Sequence, residues 1–286
     1  MESVARFDAG VEHTRTRTAL AVVIERVAGM VKAAPDPGVA SGLPGWSVGD
    51  VGAHLAAVYL ACGSVFGEEA VPWGEVMPQG EGSSFGERIA QLNAASVQLI
   101  GPEERAGLAD VLARRGERFL AATEGLAPDT EVPIPWYGPD VTLTLGALTG
   151  VVLSESLVHG LDFARGAGVP WTVEPDHARL VLGQMMPTMM ALTTDREKAR
   201  GVRIAFDLAV KGGPRLAVLV EGGELTVVRD APPRRYDCRI TVDPVTFLLV
   251  SFERMPVWKA VVSGRMRAGG RRPWLAPRLS QLVGGV

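Results

Sequence analysis

Three side chains able to hold a metal ion occur where the sequence otherwise calls for hydrocarbon. His54 falls within an apolar stripe of Val51, Leu55, Val58 and Val65. Glu155 and His159 fall on or beside a second stripe of Leu148, Val151, Val152 and Val158. Glu155 and His159 are four residues apart, so on a helix both project from one face, one turn apart, and can grip one object. Burying a carboxylate and imidazoles is costly unless they are paired or coordinate a metal. Helical bundles build metal centres in this way, from inward Glu and His on facing helices. Two imidazole nitrogens and one carboxylate oxygen form the ligand set of an open zinc site, with a position left for water or an exchangeable ligand. The same donors suit iron, nickel or manganese. Periodicity alone leaves a plainer alternative standing, in which Glu155 and His159 form a surface pair and His54 is a hydrogen-bonded core histidine.

Two carboxylates are spaced to support the imidazoles. Asp50, one turn before His54, and Asp162, three residues after His159, could each accept a hydrogen bond from a ligating ring. Each also has a structural explanation, Asp50 as a helix cap and Asp162 as a partner for Arg165. His13, near a charged amino terminus, and His177, beside acidic residues at a helix start, read as solvated. Cys62 lies one turn beyond Val58 and reads as a small buried hydrophobe at the edge of the pocket. Cys238 belongs to a strand. With no Cys-x-x-Cys spacing, neither a zinc knuckle nor a disulfide framework is expected.

The elements that must position these residues follow from periodicity and from turn signals. Leu20, Val23, Ile24, Val27, Met30 and Val31 recur at helical spacing over about 10–34, and Pro35-Asp36-Pro37-Gly38 stops that helix. A helix over 47–66 starts at Ser47 with Asp50 closing a capping box and Trp46 and Val51 as a hydrophobic staple. A Gly/Pro/Glu-rich loop covers 67–82, helices cover 84–100 and 102–124, and a loop covers 128–139. A long helix over 144–166 and a Met-rich one over 174–193 follow. After Gly201 the period changes to two: strands are expected at 202–210, 215–220, 224–229 and 238–242, with a helix opened by Asp243-Pro244 and a helical tail at 273–284. The expected fold class is α plus α+β: a four-helix bundle over 1–170, a linking helix over 171–200, and a smaller α+β domain with an antiparallel sheet over 201–286.

The 286 residues fit two domains, and 47% hydrophobic and 21% charged content are globular values. No apolar run reaches membrane-spanning length and the start lacks a basic end followed by an apolar stretch, so a cytoplasmic protein with no membrane partner is expected. Residues 1–200 carry 15 Lys+Arg against 25 Asp+Glu, whereas 201–286 carry 14 against 7. The basic part suits an anionic small molecule; without Lys/Arg runs interleaved with aromatics, no nucleic-acid partner is expected. Arg234 and Arg235, before the fourth strand, are candidates for a substrate carboxylate, because arginine presents a bidentate fork. Trp258 and Trp274 read as core or interface aromatics.

The run GWSVGDVGAHLAAVYL at 45–60, together with SESLVHGLDFARGAG at 154–168, resembles the mycothiol-dependent maleylpyruvate isomerase family, within the DinB-like superfamily. In that family a Trp-[Ser/Thr]-x-x-Asp-[Val/Leu]-x-x-His run supplies the first metal ligand, matched here by Trp46, Ser47, Asp50, Val51 and His54. A Glu-x-x-x-His-Gly-x-Asp run supplies the other two, matched by Glu155, His159, Gly160 and Asp162. The second part, through its meander at 202–229, ITVDPVTFLLV at 240–250 and SGRMRAGGRRPWLAPRLSQLV at 263–283, resembles the sterol-carrier-protein type 2 fold. The resemblance implies a divalent metal, zinc first, on His54, Glu155 and His159, and mycothiol or a similar small thiol as cosubstrate. It implies isomerisation or S-conjugation of a small electrophile, expected to be anionic. Twenty-five arginines against four lysines indicate GC-rich coding, from which an actinobacterial source is expected. A small-ligand or lipid carrier with a structural metal, and a DinB-like stress or interaction protein, are the alternatives; a monomer is expected.

Overall fold

The computed structural model describes residues 8–34, 36–77, 85–230 and 235–284. Helix α1 (Ala9–Ala33) buries Leu20, Val23, Ile24 and Val27 on one face, as the spacing predicts. His13 continues that face and is buried, with neither ring nitrogen hydrogen-bonded. It was expected in solvent, but the helix begins early enough that its period carries His13 inward. Burial, then the charge of Arg17, lower the pKa of the ring.

Helix α2 (Val48–Ser64) opens with the expected capping box: Asp50 N–H donates to Ser47 Oγ and Ser47 N–H donates to Asp50 Oδ2, both at 3.1 Å. Trp46 packs with Val51 around Val48 and Phe163, giving the staple. Helix α3 (Trp73–Val76) lies within the expected loop, whose residues 78–82 are outside the described ones, as is Pro35. Helix α4 (Phe85–Ser96) tightens into a turn of 3₁₀ helix at Val97–Leu99. The single helix expected over 102–124 is divided at Gly107 into α5 (Pro102–Ala106) and α6 (Leu108–Ala122). Within the expected loop at 128–139, β1 (Glu131–Pro133) pairs antiparallel with β2 (Thr142–Thr144). Helix α7 (Leu145–Ala167) is capped by Thr144 and ends at Gly168 in the left-handed conformation. Helices α1 and α2 approach α6 through glycine: a Cβ at Gly116 would lie 2.7 Å from Ile24, and one at Gly52 2.8 Å from Leu108. Among the described residues no helix is long and apolar enough to cross a membrane.

The chain divides into two compact units, one of His13–Val173 and one of Glu174–Val286 together with the chain start through Glu12. Of the linking helix expected over 171–200, residues 174–200 group with the sheet. Their helices α8 (Pro175–Gln184) and α9 (Met186–Leu192), separated at Met185 before Pro187, bury Val181, Leu182, Met186 and Met190, and Gly183 O accepts from Arg229 Nη1 at 2.7 Å. Helix α10 (Arg196–Ala199) leads to the strands β3 (Ile204–Val210), β4 (Arg215–Glu221), β5 (Glu224–Arg229), β6 (Cys238–Val242) and β7 (Met266–Gly269), in the order β5-β4-β3-β6-β7. Neighbours are antiparallel except for the parallel pair β3 and β6. Strand β7 is one of the elements the sequence does not announce, since Met-Arg-Ala-Gly has neither alternation nor β-branched residues. Helices α11 (Pro244–Ser251), α12 (Val257–Val262) and α13 (Ala276–Leu282) complete this unit.

Asp207 ties three of the strands together. Its side chain is 0% exposed on β3, takes a bidentate pair from Arg215 of β4 at 2.7 Å and a third bond from Arg239 Nε of β6 at 2.7 Å. Burial alone would raise its pKa, but the two guanidinium groups outweigh that and hold the carboxyl below its ordinary range. A depressed folded pKa gives stability present above the unfolded value, about 3.9, and lost as pH falls through the folded value. Asp207→Asn should cost about 2 kcal/mol at pH 7, less than a fully enclosed pair because both arginines are half exposed. Urea denaturation at neutral pH and near pH 3 should show a smaller acid loss in the variant than in the parent; equal losses would remove Asp207 from the acid response.

Candidate metal centre

Helix α2 supplies His54, and α7 supplies Glu155 and His159 from one face. His54 Nε2 lies 3.4 Å from Glu155 Oε2, and His159 Nε2 lies 3.2 Å from the same oxygen. One ligand atom from each residue falls within 4.8 Å of the others. The two imidazoles meet edge to face, with centroids 4.7 Å apart. His54 is 1% exposed and His159 10%, whereas Glu155 keeps 18% of its side chain open. The group is therefore closed to solvent except beside the carboxylate.

The far nitrogens of the rings decide what the near ones offer. Ser96 donates its only hydroxyl proton to Asn93 O at 2.8 Å, so its oxygen accepts from His54 Nδ1–H at 3.1 Å. That fixes the tautomer and leaves a lone pair on His54 Nε2, aimed at Glu155 Oε2. His159 Nδ1 stands 3.2 Å from Oδ2 of the fully buried Asp162, an ion-pair contact rather than an aligned hydrogen bond. A Nδ1 proton held toward Asp162 leaves the Nε2 lone pair on the Glu155 side. Three acceptor atoms then converge, and they repel one another unless a proton or a cation sits among them. The donor set thus fits a divalent metal of the zinc type, and equally one of its neighbours in the transition series.

The electrostatics agree. Burial alone would raise the Glu155 carboxyl, but contacts with His159 and His54 outweigh it and hold the group well below the usual carboxylate range. Burial alone would lower His159, while Asp162 and Glu155 outweigh it and push the ring up. The pocket favours positive charge on the histidine side. Around it stand groups that hold their protons. Burial, then Glu155, push the Cys62 thiol up, and burial, then Glu155 and Cys62, do the same to the Tyr137 phenol. Tyr59 Oη and Ser156 Oγ share a buried hydrogen bond of 2.7 Å.

Sequence reasoning placed His54, Glu155 and His159 at one point, and the fold brings them together there. Asp162 faces His159 as anticipated. Asp50 does not take the role of orienting His54: its carboxylate is used by Ser47 and by Arg105 Nη1 at 3.2 Å, so its capping role prevails. Ser96 supports His54 instead. Nothing in the sequence marks that serine, because it reaches the ring only through the docking of α4 on α2. Gly160, in the His-Gly pair, is where Trp171 packs: a Cβ there would lie 2.3 Å from the indole, whose Nε1 donates to Leu157 O. Arg235 is exposed in the sheet-bearing unit, and Arg234 lies outside the described residues.

Among solved structures, that of the mycothiol-dependent maleylpyruvate isomerase is similar over 94% of this chain and 96% of its own, at 16% identity and a TM-score of 0.51, a likeness of fold. A mutant of that enzyme aligns over the same shares at 15% identity and a TM-score of 0.49. The inverting sec-alkylsulfatase of a Pseudomonas species aligns with 49% of this chain at 16% identity and a TM-score of 0.31. The chain spans 24% of that sulfatase's length and 27% of its double mutant's. A comparison with curated proteins finds no match. The family model described as the mycothiol maleylpyruvate isomerase N-terminal domain matches residues 7–164, more than half of the chain and all of the converging side chains. The chain belongs to that family.

Proposed function

We propose that this protein is a metal-dependent thiol enzyme, using mycothiol or a similar low-molecular-weight thiol to isomerise a small electrophilic substrate. The observation that carries this is the convergence of His54 Nε2, Glu155 Oε2 and His159 Nε2, with the first ring's tautomer fixed by Ser96. His54, Glu155 and His159 are the metal ligands in this reading. A zinc-type ion bound there supplies a Lewis acid that lowers the pKa of a coordinated thiol. The chain's residues do the rest. Asp162 and Ser96 hold the two rings, and Glu155 keeps one open edge through which a small thiol can approach. Cys62 and Tyr137 remain protonated and compete neither as nucleophile nor as base. In isomerisation the thiol sulfur adds to an activated double bond, the resulting single bond rotates, and elimination returns the thiol. If the adduct is kept, the same site performs S-conjugation. Arg234 and Arg235 are our candidates for holding an anionic group of the substrate. A cytoplasmic, monomeric protein is part of this reading.

A carrier function is favoured by one separate feature, a cavity of about 400 Å³ in the sheet-bearing unit, lined by Met186, Met190, Leu208, Ile240, Phe247 and Leu279 among others. In that case the metal would be structural.

Plasma mass spectrometry on protein purified without chelators should find about one equivalent of divalent metal per chain and less than a tenth of that in Glu155→Ala. Absence of metal from the parent, even after zinc loading, would sink the enzyme reading. With maleylpyruvate and limiting mycothiol, many turnovers per thiol identify isomerisation, whereas one thiol consumed per product identifies conjugation. Both cysteines are free and buried, and burial raises both thiol pKa values. Ellman's reagent at pH 8 should therefore label neither in the native protein and both in guanidinium; rapid native labelling of Cys62 would return it to the list of nucleophiles.

A further inference from the structure

In the sheet-bearing unit, exposed apolar and cationic side chains are gathered in one stretch of the chain. Trp258 is 62% exposed, Trp274 69% and Val262 80%, against the expectation that both tryptophans serve as core or interface aromatics. Val257 and Val261, also exposed, are one turn apart on α12 and line the cavity together with Trp274, so its mouth opens among these residues. Trp258 and Val262, again one turn apart, form the adjoining outward stripe of the same helix. Exposed large hydrophobics gathered in this way mark an interaction site.

The charge along this part of the chain is mostly of one sign, with Glu253 as the acid that also lines the cavity. From Pro244 to the end the chain has seven Lys+Arg and a single acid, Glu253. Lys259, Arg265, Arg267, Arg271, Arg272 and Arg278 are exposed and lie in the same stretch of sequence as the two tryptophans, Arg272 also pairing with Asp237 at 3.6 Å. The Lys259 ammonium lies 5.6 Å from the Trp258 ring centroid, and Arg267 lines the cavity.

We propose that this face docks on an anionic lipid surface, the indoles and valines entering the headgroup boundary while the arginines and lysine meet the lipid phosphates. Tryptophan settles at that boundary because it is apolar with one polar edge. Cationic side chains beside it supply the second of the two signals that peripheral attachment needs. A protein partner buried on the same indoles would have to place acids opposite this run of exposed cations, whereas an anionic bilayer presents that charge everywhere. The inference is independent of the metal centre. It revises the expectation of no membrane partner, which concerned spans; peripheral docking needs none.

The test is sedimentation of the full-length protein with vesicles of phosphatidylcholine containing about 30% phosphatidylglycerol, and with neutral phosphatidylcholine vesicles. The protein should pellet with the anionic vesicles only, lose binding as salt shortens the screening length, and show a blue-shifted tryptophan emission. Trp258→Ser/Trp274→Ser should lower the bound fraction at least about fivefold, and Lys259→Glu/Arg271→Glu about as much. Both variants change exposed residues, and circular dichroism should show them folded. Failure to pellet, or equal binding to neutral vesicles, would overturn the proposal. So would a solution dimer dissociated by the tryptophan variant, since a second copy would then cover the face.

Discussion

Everything in the bundle answers to one constraint: two imidazoles and a carboxylate are held together, out of water, with their acceptor atoms turned toward one another. Such a group is tolerable only if positive charge lies within it. The fold does not relieve the strain by turning a ring away. Ser96 commits the proton of His54 to the outer nitrogen, and the fully buried Asp162 faces the outer nitrogen of His159 at 3.2 Å and favours a proton there by its charge. Both second partners are spent on keeping lone pairs inward. A structural core would gain nothing from this, since well-packed hydrocarbon of the same volume serves stability as well or better.

The same logic governs the neighbours. A site that presents a thiol from outside, as we propose, has to keep the protein's own thiol and phenol from taking its place. Cys62 and Tyr137 are beside the carboxylate in a desolvated pocket, and both effects push them toward the protonated form. Burial does most of this, and the negative charge of Glu155 adds to it while its oxygen serves as a donor atom of the site. The sheet-bearing unit solves a comparable problem by another route. There Asp207 is compensated by two arginines on neighbouring strands, and the result is a cross-link of the sheet rather than a reactive centre.

Much of this was legible in the sequence, because it depends on spacing along single helices. The four-residue step from Glu155 to His159, the stripe around His54 and the capping box at Ser47 are local relations, and regular helix geometry turns them directly into positions in space. The change of period after Gly201 likewise marked the strands. Where reading along the chain failed, the deciding contact was between segments distant in sequence. Asp50 looked as suited to orient His54 as Asp162 to orient His159. Arg105, fifty-five residues away, claims the first, and Ser96, forty-two residues from His54, takes its place.

By itself, then, the sequence determined which residues lie on which helical face and therefore which three side chains could meet. It also determined that the chain has a helical part followed by a sheet. Only the tertiary structure decided that the faces of α2 and α7 pack so as to bring three donors within 4.8 Å, that β7 closes the edge of the sheet beside β6, and that Trp258 and Trp274 stand in solvent. The physical reason is that periodicity reports which side of an element is apolar. It carries no information about which other element will cover that side, or whether any will.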